Sequence, residues 1–161
     1  MDFTIREATE ADMTEVRRLI QELAIFEKEE DAVEVTVEDL VADGFCERPL
    51  FQCFVGESRG EIVGMALVYN RYSTWKGPVV HLEDLIVTKK MRGSGLGSAL
   101  LSQVVQYSND LGVKRISWEV LDWNEPAIKF YESKGAKVLR DWDVVQMDEK
   151  GIKTFLEQVK N

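Results

Sequence analysis

Arg92-Gly93-Ser94-Gly95-Leu96-Gly97 follows an apolar run at 79–87 that reads as a strand. It opens a stripe of Leu96, Leu100, Val104 and Leu111 that reads as a helix stopping at Gly112. Glycines let the backbone visit positive φ and approach a ligand closely. The free amides of the helix start then face an anion, aided by the helix dipole. Lys89, Lys90 and Arg92 add positive charge to an otherwise acidic chain. A pyrophosphate is the natural guest, and a purely structural turn is the plain alternative. Two familiar phosphate motifs do not fit. A Walker loop ends in Gly-Lys-Ser/Thr, and here Gly97-Ser98-Ala99 stands. A dinucleotide fingerprint needs Gly three residues after Gly97, where Leu100 stands.

Beyond that helix, Ile116, Trp118 and Val120 alternate and predict a strand over 115–120. Asn124-Glu125-Pro126 opens another helix, which Gly135 ends. Residues 137–147 suggest one or two closing strands, and a short helix follows from about 150. Upstream of the turn, 51–57 and 61–72 read as strands joined by Ser58-Arg59-Gly60, with a loop at 73–78. Residues 3–7 alternate as a first strand. Thr9 with Asp12, and Thr36 with Asp39, have capping-box spacing. They predict a helix to about 26, burying Met13, Val16, Ile20 and Leu23, and a shorter one to about 43 closed by Gly44. Residues 27–34 form an acidic loop. The order predicts a single α/β domain over 1–161 with a hairpin of strands in its centre.

The 161 residues include 20 Lys or Arg and 29 Asp or Glu, a net charge of −9. That length suits one domain, and 45% apolar with 30% charged residues suits a globular protein. No apolar run is long enough to span a bilayer, and Met1-Asp2-Phe3-Thr4 lacks the start of a signal peptide, so no membrane partner is expected. The acidic balance argues against nucleic acid as a partner. Cys46 and Cys53 imply no disulfide framework; both are expected to be buried thiols in a reducing cytoplasm. With the single histidine, His81, they make no zinc pattern, and no metal is expected. One histidine also disfavours a Ser-His-Asp triad. The acidic excess lies in residues 1–47, with 4 basic and 15 acidic side chains, against 16 and 14 in the remainder. It reads either as a solvated helical face or as a funnel that attracts a polycation.

Arg92-x-x-Gly95-x-Gly97, set between strand and helix, resembles the acyl-CoA pyrophosphate motif of the GNAT N-acetyltransferase superfamily. Tyr72-Ser73-Thr74-Trp75-Lys76-Gly77, Leu82-Glu83-Asp84 and Val120-Leu121-Asp122-Trp123-Asn124 are similar to the diamine (spermidine/spermine) N-acetyltransferase family, and within it to the thialysine N-acetyltransferase branch. The likeness runs over about 3–142. It implies a GNAT fold: a central mixed, mostly antiparallel twisted sheet of about six to seven strands, flanked by four to five helices. It also implies acetyl-CoA as cosubstrate, a small amine as acceptor, and a homodimer with the amine slot near the subunit boundary.

The chemistry needs an acid and a base. An unperturbed alkyl amine has a pKa near ~10.4 and arrives protonated. A carboxylate beside it accepts the proton directly or through a water. Glu83 and Asp84 precede the glycine turn, and strand alternation sends them to opposite faces unless a bulge intervenes. The resemblance implies such a bulge, with Glu83 pointing into the site; Asp84 stands open as a catalytic, substrate-binding or structural carboxylate. It makes Tyr131, in the helix opened by Asn124, the acid that protonates the departing thiolate; an ordinary core tyrosine is the alternative. For the cofactor it implies main-chain pairing along Leu85, Ile86 and Val87, the pyrophosphate turn Arg92, Gly93, Ser94, Gly95, Leu96, Gly97 and Ser98, and contacts at Asn124, Pro126 and Lys134. For the amine it implies Phe26, Glu27, Trp75, Glu83, Asp84, Ser117, Trp118 and Glu119. An aromatic face suits an alkyl chain and a cation together. The spermidine/spermine enzymes carry an acidic residue and a proline where Ser73 and Thr74 stand, which favours a short or lysine-like amine here. The expected activity is acetyl-CoA-dependent N-acetylation of a polyamine, diamine or lysine-like amine by direct transfer. A protein lysine or N-terminus as acceptor, or a non-catalytic acyl-CoA-binding module, are the alternatives.

Overall fold

Arg59 (φ 53°) and Gly60 (φ 79°) supply the two consecutive left-handed residues that a two-residue hairpin requires. They join β2 (Gln52–Ser58) to β3 (Glu61–Ser73). A computed structural model describes residues 2–159. Around the hairpin, β1 (Thr4–Glu7), β4 (Gly77–Val87) and β5 (Ile116–Ser117) complete one sheet in the order β1-β2-β3-β4-β5. The first four strands run antiparallel, and β5 joins β4 in parallel at Val80 and His81. With α1 (Met13–Phe26), α2 (Val37–Gly44) and α3 (Leu96–Asp110), these strands lie in a compact unit, Met1–Glu119. A second unit, Val120–Asn161, holds α4 (Glu125–Ser133) and α5 (Glu149–Val159).

In the first unit, α1 and α2 cover one face of the sheet. Met13, Val16 and Leu19 of α1 and Leu40 of α2 pack with Cys53, Val55, Met65, Leu67 and Ile86. Ile20 and Leu23 join from the edge of that cluster. Each fully buried aliphatic side chain contributes roughly 1.5–3 kcal/mol. α3 covers the other face, as strand alternation dictates. A Cβ added to Gly56 would lie 2.6 Å from Leu96 Cδ1, so only glycine lets α3 approach this closely. Phe54, on the same face, meets Tyr107 edge-on at 5.5 Å.

Both capping boxes form. The Thr9 N–H and hydroxyl donate to Asp12 Oδ2 at 2.7 and 2.9 Å, and Arg6 donates twice to the same carboxylate at 2.7 and 2.9 Å. A 3-10 turn over Glu10–Asp12 delays α1 to Met13. The Asp39 N–H donates to Thr36 Oγ at 3.1 Å and the Thr36 N–H to Asp39 Oδ2 at 2.9 Å.

Five expectations change. The described residues form five strands, not six to seven. Residues 137–147 carry none, and Leu139, Trp142, Val144, Val145 and Met147 lie exposed. A strand persists only with a partner ladder, and no described strand pairs with this segment. β5 is two residues long because its ladder to β4 ends at Ser117. The loop at 73–78 is a tight turn between Ser73 and Gly77. Cys46 is exposed, while Cys53 is buried as expected. The mixed, mostly antiparallel sheet and the five α-helices agree with the sequence reading. Among the described residues no helix is long and apolar enough to cross a membrane.

Candidate active site

The pairing of β3 with β4 slips by one residue at the Glu83 position. Leu67 pairs with Asp84 and Val68 with Leu82, so Glu83 is the extra residue of a β-bulge. Its consequence is geometric. Leu67 belongs to the core cluster under α1, so its partner Asp84 sits on that face. His81 pairs with Tyr69, two residues beyond Leu67, and Glu83 follows His81 by two. Alternation therefore brings Glu83 to the same side as Asp84. The bulge turns two adjacent carboxylates toward one face.

Glu27, at the C-terminal end of α1, joins them. Burial pushes Asp84 up to about 6, and the charges of Glu83 and Glu27 push in the same direction. Glu27 is also raised, by burial and then by Glu29. Glu83 itself is half-exposed, with Oε2 3.6 Å from His81 Nε2. His81 is buried, its Nδ1 3.0 Å from Ser117 Oγ, and its ring leans on Tyr69 at 5.1 Å between centroids. Burial lowers His81 below the ordinary histidine value, against the pull of Glu83. Burial, followed by the Glu83 charge, raises the Tyr69 phenol. Carboxylates that repel one another in this way are relieved by a nearby cation such as an ammonium group.

Past the bulge, Leu85, Ile86 and Val87 pair with Ala66, Met65 and Gly64 on the β3 side. The β5 ladder stops at His81, so the other edge of this stretch is unpaired among the described strands and can take an added strand-like partner. The chain then enters the glycine turn. Gly93 (φ 77°) and Gly95 (φ 89°) are left-handed, and a Cβ on either would meet nothing within 4 Å. Gly95 is the N-cap of α3, and the first-turn amides Leu96, Gly97 and Ser98 have no acceptor within the helix. Ser94 Oγ donates to the Met91 carbonyl at 2.7 Å and pins the turn. The Arg92 guanidinium lies over the Phe26 ring at 5.3 Å, so a residue expected at the amine meets one expected at the phosphate.

The remaining expected residues lie on other elements. Trp75 projects from the β3–β4 turn, 78% exposed, where Ser73 Oγ accepts from the Trp75 and Lys76 amides at 3.2 Å. Trp118 and Glu119 follow β5 directly, Trp118 half-buried and Glu119 exposed. In the second unit, Asn124 caps α4 through Ala127 N–H at 3.4 Å, and Pro126 sits in the first turn. Tyr131 is buried on α4 beside Phe130, at 5.3 Å between rings. Lys134 closes the helix with its ammonium 5.8 Å over the Phe130 ring. Sequence reasoning missed His81 and Tyr69 as neighbours of Glu83. The signal was present: His81 and Glu83 are two apart on a strand, the spacing of one face.

Residues 13–136 match the family model described as the acetyltransferase (GNAT) family. A thialysine N-epsilon-acetyltransferase of Bos taurus is 42% identical over 145 residues, 85% of each chain. A human spermidine/spermine N(1)-acetyltransferase-like protein 1 is 38% identical over 141 residues, 83% of this chain and 20% of that one. Among solved structures, an integron cassette protein from the mobile metagenome of V. cholerae superposes with a TM-score of 0.79 at 20% identity, covering 98% of this chain and 99% of the other.

Proposed function

The chain belongs to the GNAT acetyltransferase family and is an N-acetyltransferase, and from that premise we propose that its acceptor is a small amine carrying a second charged group, of the lysine-like (thialysine) or diamine class. The observation that carries this reading is the trio Glu27, Glu83 and Asp84 around the β4 bulge. One carboxylate suffices for a lone ammonium, whereas three suit a ligand with more than one cationic group. The name of the bovine relative supports the lysine-like class. A panel assay following free thiol tests it across thialysine, lysine, short diamines, spermidine and a basic peptide. Highest kcat/KM with thialysine or a short diamine is expected. Highest kcat/KM with the peptide would move the acceptor to protein amines.

The glycine turn fits acetyl-CoA: open space above two left-handed glycines, then the first-turn amides of a 15-residue helix, which have no acceptor within the helix. Arg92, Gly93, Ser94, Gly95, Leu96, Gly97 and Ser98 would hold the pyrophosphate, and Leu85, Ile86 and Val87 the pantetheine arm, with Asn124, Pro126 and Lys134 as further contacts. When bound, acetyl-CoA supplies an activated acetyl thioester. Glu83 accepts the proton of the incoming ammonium and frees the nitrogen lone pair. Asp84 and Glu27 hold the amine by charge, while Phe26, Trp75, Trp118 and Glu119 line its approach. Tyr131 donates its phenolic proton to the departing thiolate. The whole chain acts as one transferase domain, a reading supported by a family match that runs across residues 119 and 120. Two free thiols, Cys46 exposed and Cys53 buried and pushed up to about 12, suit the reducing cytoplasm. The active form is a homodimer, supported by the exposed stripe Ile152, Phe155, Leu156 and Val159 on α5.

A further inference from the structure

His81 is a buried titratable side chain that acetyl transfer, as described so far, leaves unused. It is the single histidine of the chain. It occupies the last rung of the β4–β5 ladder, opposite Ser117, where the two strands stop pairing. Its ring spans two partners: Nδ1 lies 3.0 Å from Ser117 Oγ, and Nε2 lies 3.6 Å from Glu83 Oε2. Tyr69 of β3 packs against the ring. The charged groups acting on it are Glu83 from β4, Arg71 from β3 and Glu119 just after β5.

We infer that His81 is a positioning residue for the amine-proton acceptor: its Nε2–H holds Oε2 of Glu83, and the Ser117 hydroxyl fixes that tautomer by donating to Nδ1. The inference deepens the reading of Glu83 as the proton acceptor and rests on it.

The assignment follows from what each group can do. An ionised carboxylate only accepts, and a neutral imidazole carries one N–H. The contact with Glu83 is attractive only if that hydrogen is on Nε2. Nδ1 is then an acceptor, and a serine hydroxyl can rotate to donate to it. The opposite tautomer would set the Nε2 lone pair of the buried ring against the carboxylate, a repulsive pairing. Burial keeps the ring neutral at neutral pH. At 3.6 Å the Glu83 contact is electrostatic, and a small rotation of its half-exposed side chain brings Oε2 to hydrogen-bond distance. The Tyr69 phenol also hydrogen-bonds to Glu83, and the carboxylate lone pairs that His81 and Tyr69 leave open meet the amine. In acid, Nδ1 also becomes a donor, the Ser117 hydroxyl must reverse, and the imidazolium lowers the basicity of Glu83. His81 therefore contributes to the acid limb of the rate profile.

A single histidine makes the test direct. In the full chain labelled with 15N-histidine, one imidazole is observed. The Nε2–H tautomer is expected near pH 7.5, with Ser117→Ala raising the Nδ1–H population and Glu83→Gln lowering the ring pKa. An Nδ1–H tautomer in the unaltered chain, or a ring pKa indifferent to Glu83→Gln, overturns the inference. In kinetics, His81→Phe should lower kcat about tenfold, the scale of one hydrogen bond to a charged group, with amine KM changed less. His81→Gln, which keeps an N–H near the Nε2 position, should recover most of that loss. Unchanged kcat and an unchanged acid limb in a folded His81→Phe also overturn it. If that variant does not fold, the tautomer of the unaltered chain still decides. An unchanged kcat for Glu83→Gln overturns the proton-acceptor reading instead, and is separable because the tautomer is measured without turnover.

Discussion

Asp84 carries an electrostatic cost in the fold, which the proposed amine would relieve. Its carboxyl is raised from an ordinary 3.8 to about 6, first by burial and then by Glu83 and Glu27. The unfolded chain releases this proton near its ordinary value, while the folded chain keeps it until about 6. The stability linked to Asp84 is therefore fully present below about pH 4 and is lost as pH rises through 6. Asp84→Asn keeps the shape and removes the charge. Differential scanning fluorimetry should find the variant more stable by about 1–3 kcal/mol at pH 7.5, with the gap closing near pH 4. Equal or lower stability at both pH values would show that the raised carboxyl is not an unfavourable charge. Tyr131→Phe is the sharpest kinetic test, since it keeps the ring and removes the acidic proton. Its kcat should fall roughly a hundred- to ten-thousand-fold, with acetyl-CoA affinity little changed. Near-native kcat under chemistry-limited turnover would assign thiolate protonation elsewhere. Glu83 and Asp84 were legible as candidate carboxylates because residue type and motif mark them. Their shared face was not, because it depends on a one-residue slip against Leu67 and Val68 in another strand. The His81 contact with Ser117 was hidden for a similar reason: a parallel rung between residues 36 apart leaves no local pattern.

At the scale of elements, sequence reading worked where local chemistry dictates structure. Thr9–Asp12 and Thr36–Asp39 carry their hydrogen bonds within four residues; the second marks the start of α2, and the first the 3-10 turn that leads into α1. Arg59-Gly60 and Gly95 are similarly local, because positive φ must be met by the residue itself. The 137–147 segment misled because its β-branched and aromatic residues mark strand propensity, while a strand also needs a neighbour. The start of α3 gives the clearest test. Gly95→Val forces a β-branched residue to φ 89°, although its Cβ would clash with nothing. Its cost is thus backbone strain, about 1–3 kcal/mol. Gly95→Asn tolerates that φ and places a side chain in the space assigned to the pyrophosphate. Calorimetry should find CoA affinity reduced by at least tenfold in a Gly95→Asn variant of near-native stability. Undiminished affinity would leave the turn with a structural role alone.

Across the whole molecule, charge and apolar surface are distributed unequally along the chain. The first 47 residues hold 15 acidic side chains, and one of them, Glu27, reaches the Asp84 cluster. Others are spent locally: Asp12 on Arg6, Glu15 and Glu22 on Arg18. Part of the acidic excess is thus solvated and paired surface; if the rest attracts the proposed cationic acceptor, it raises encounter rates most at low salt. The kcat/KM for a dicationic amine should fall more steeply between about 20 and 200 mM salt than that for a monoamine, by Debye screening of this region. Parallel slopes for the two would leave the acidic segment without a part in substrate capture.

At the other end of the chain, α5 presents Ile152, Phe155, Leu156 and Val159 at i, i+3, i+4 and i+7, all exposed. Polar partners occupy the remaining positions, with Lys153 paired to Glu149. An amphipathic helix with an exposed apolar stripe is incomplete until that stripe is covered. A second copy of the chain is the occupant that the proposed homodimer supplies. Light scattering at micromolar concentration should give twice the 18.4 kDa chain mass. Phe155→Lys places a charge in the middle of the stripe and should shift the protein toward monomer, with helix content by circular dichroism unchanged. Retained monomer mass in the unaltered protein, together with full activity at nanomolar concentration, would remove the dimer from the account and return the stripe to another role.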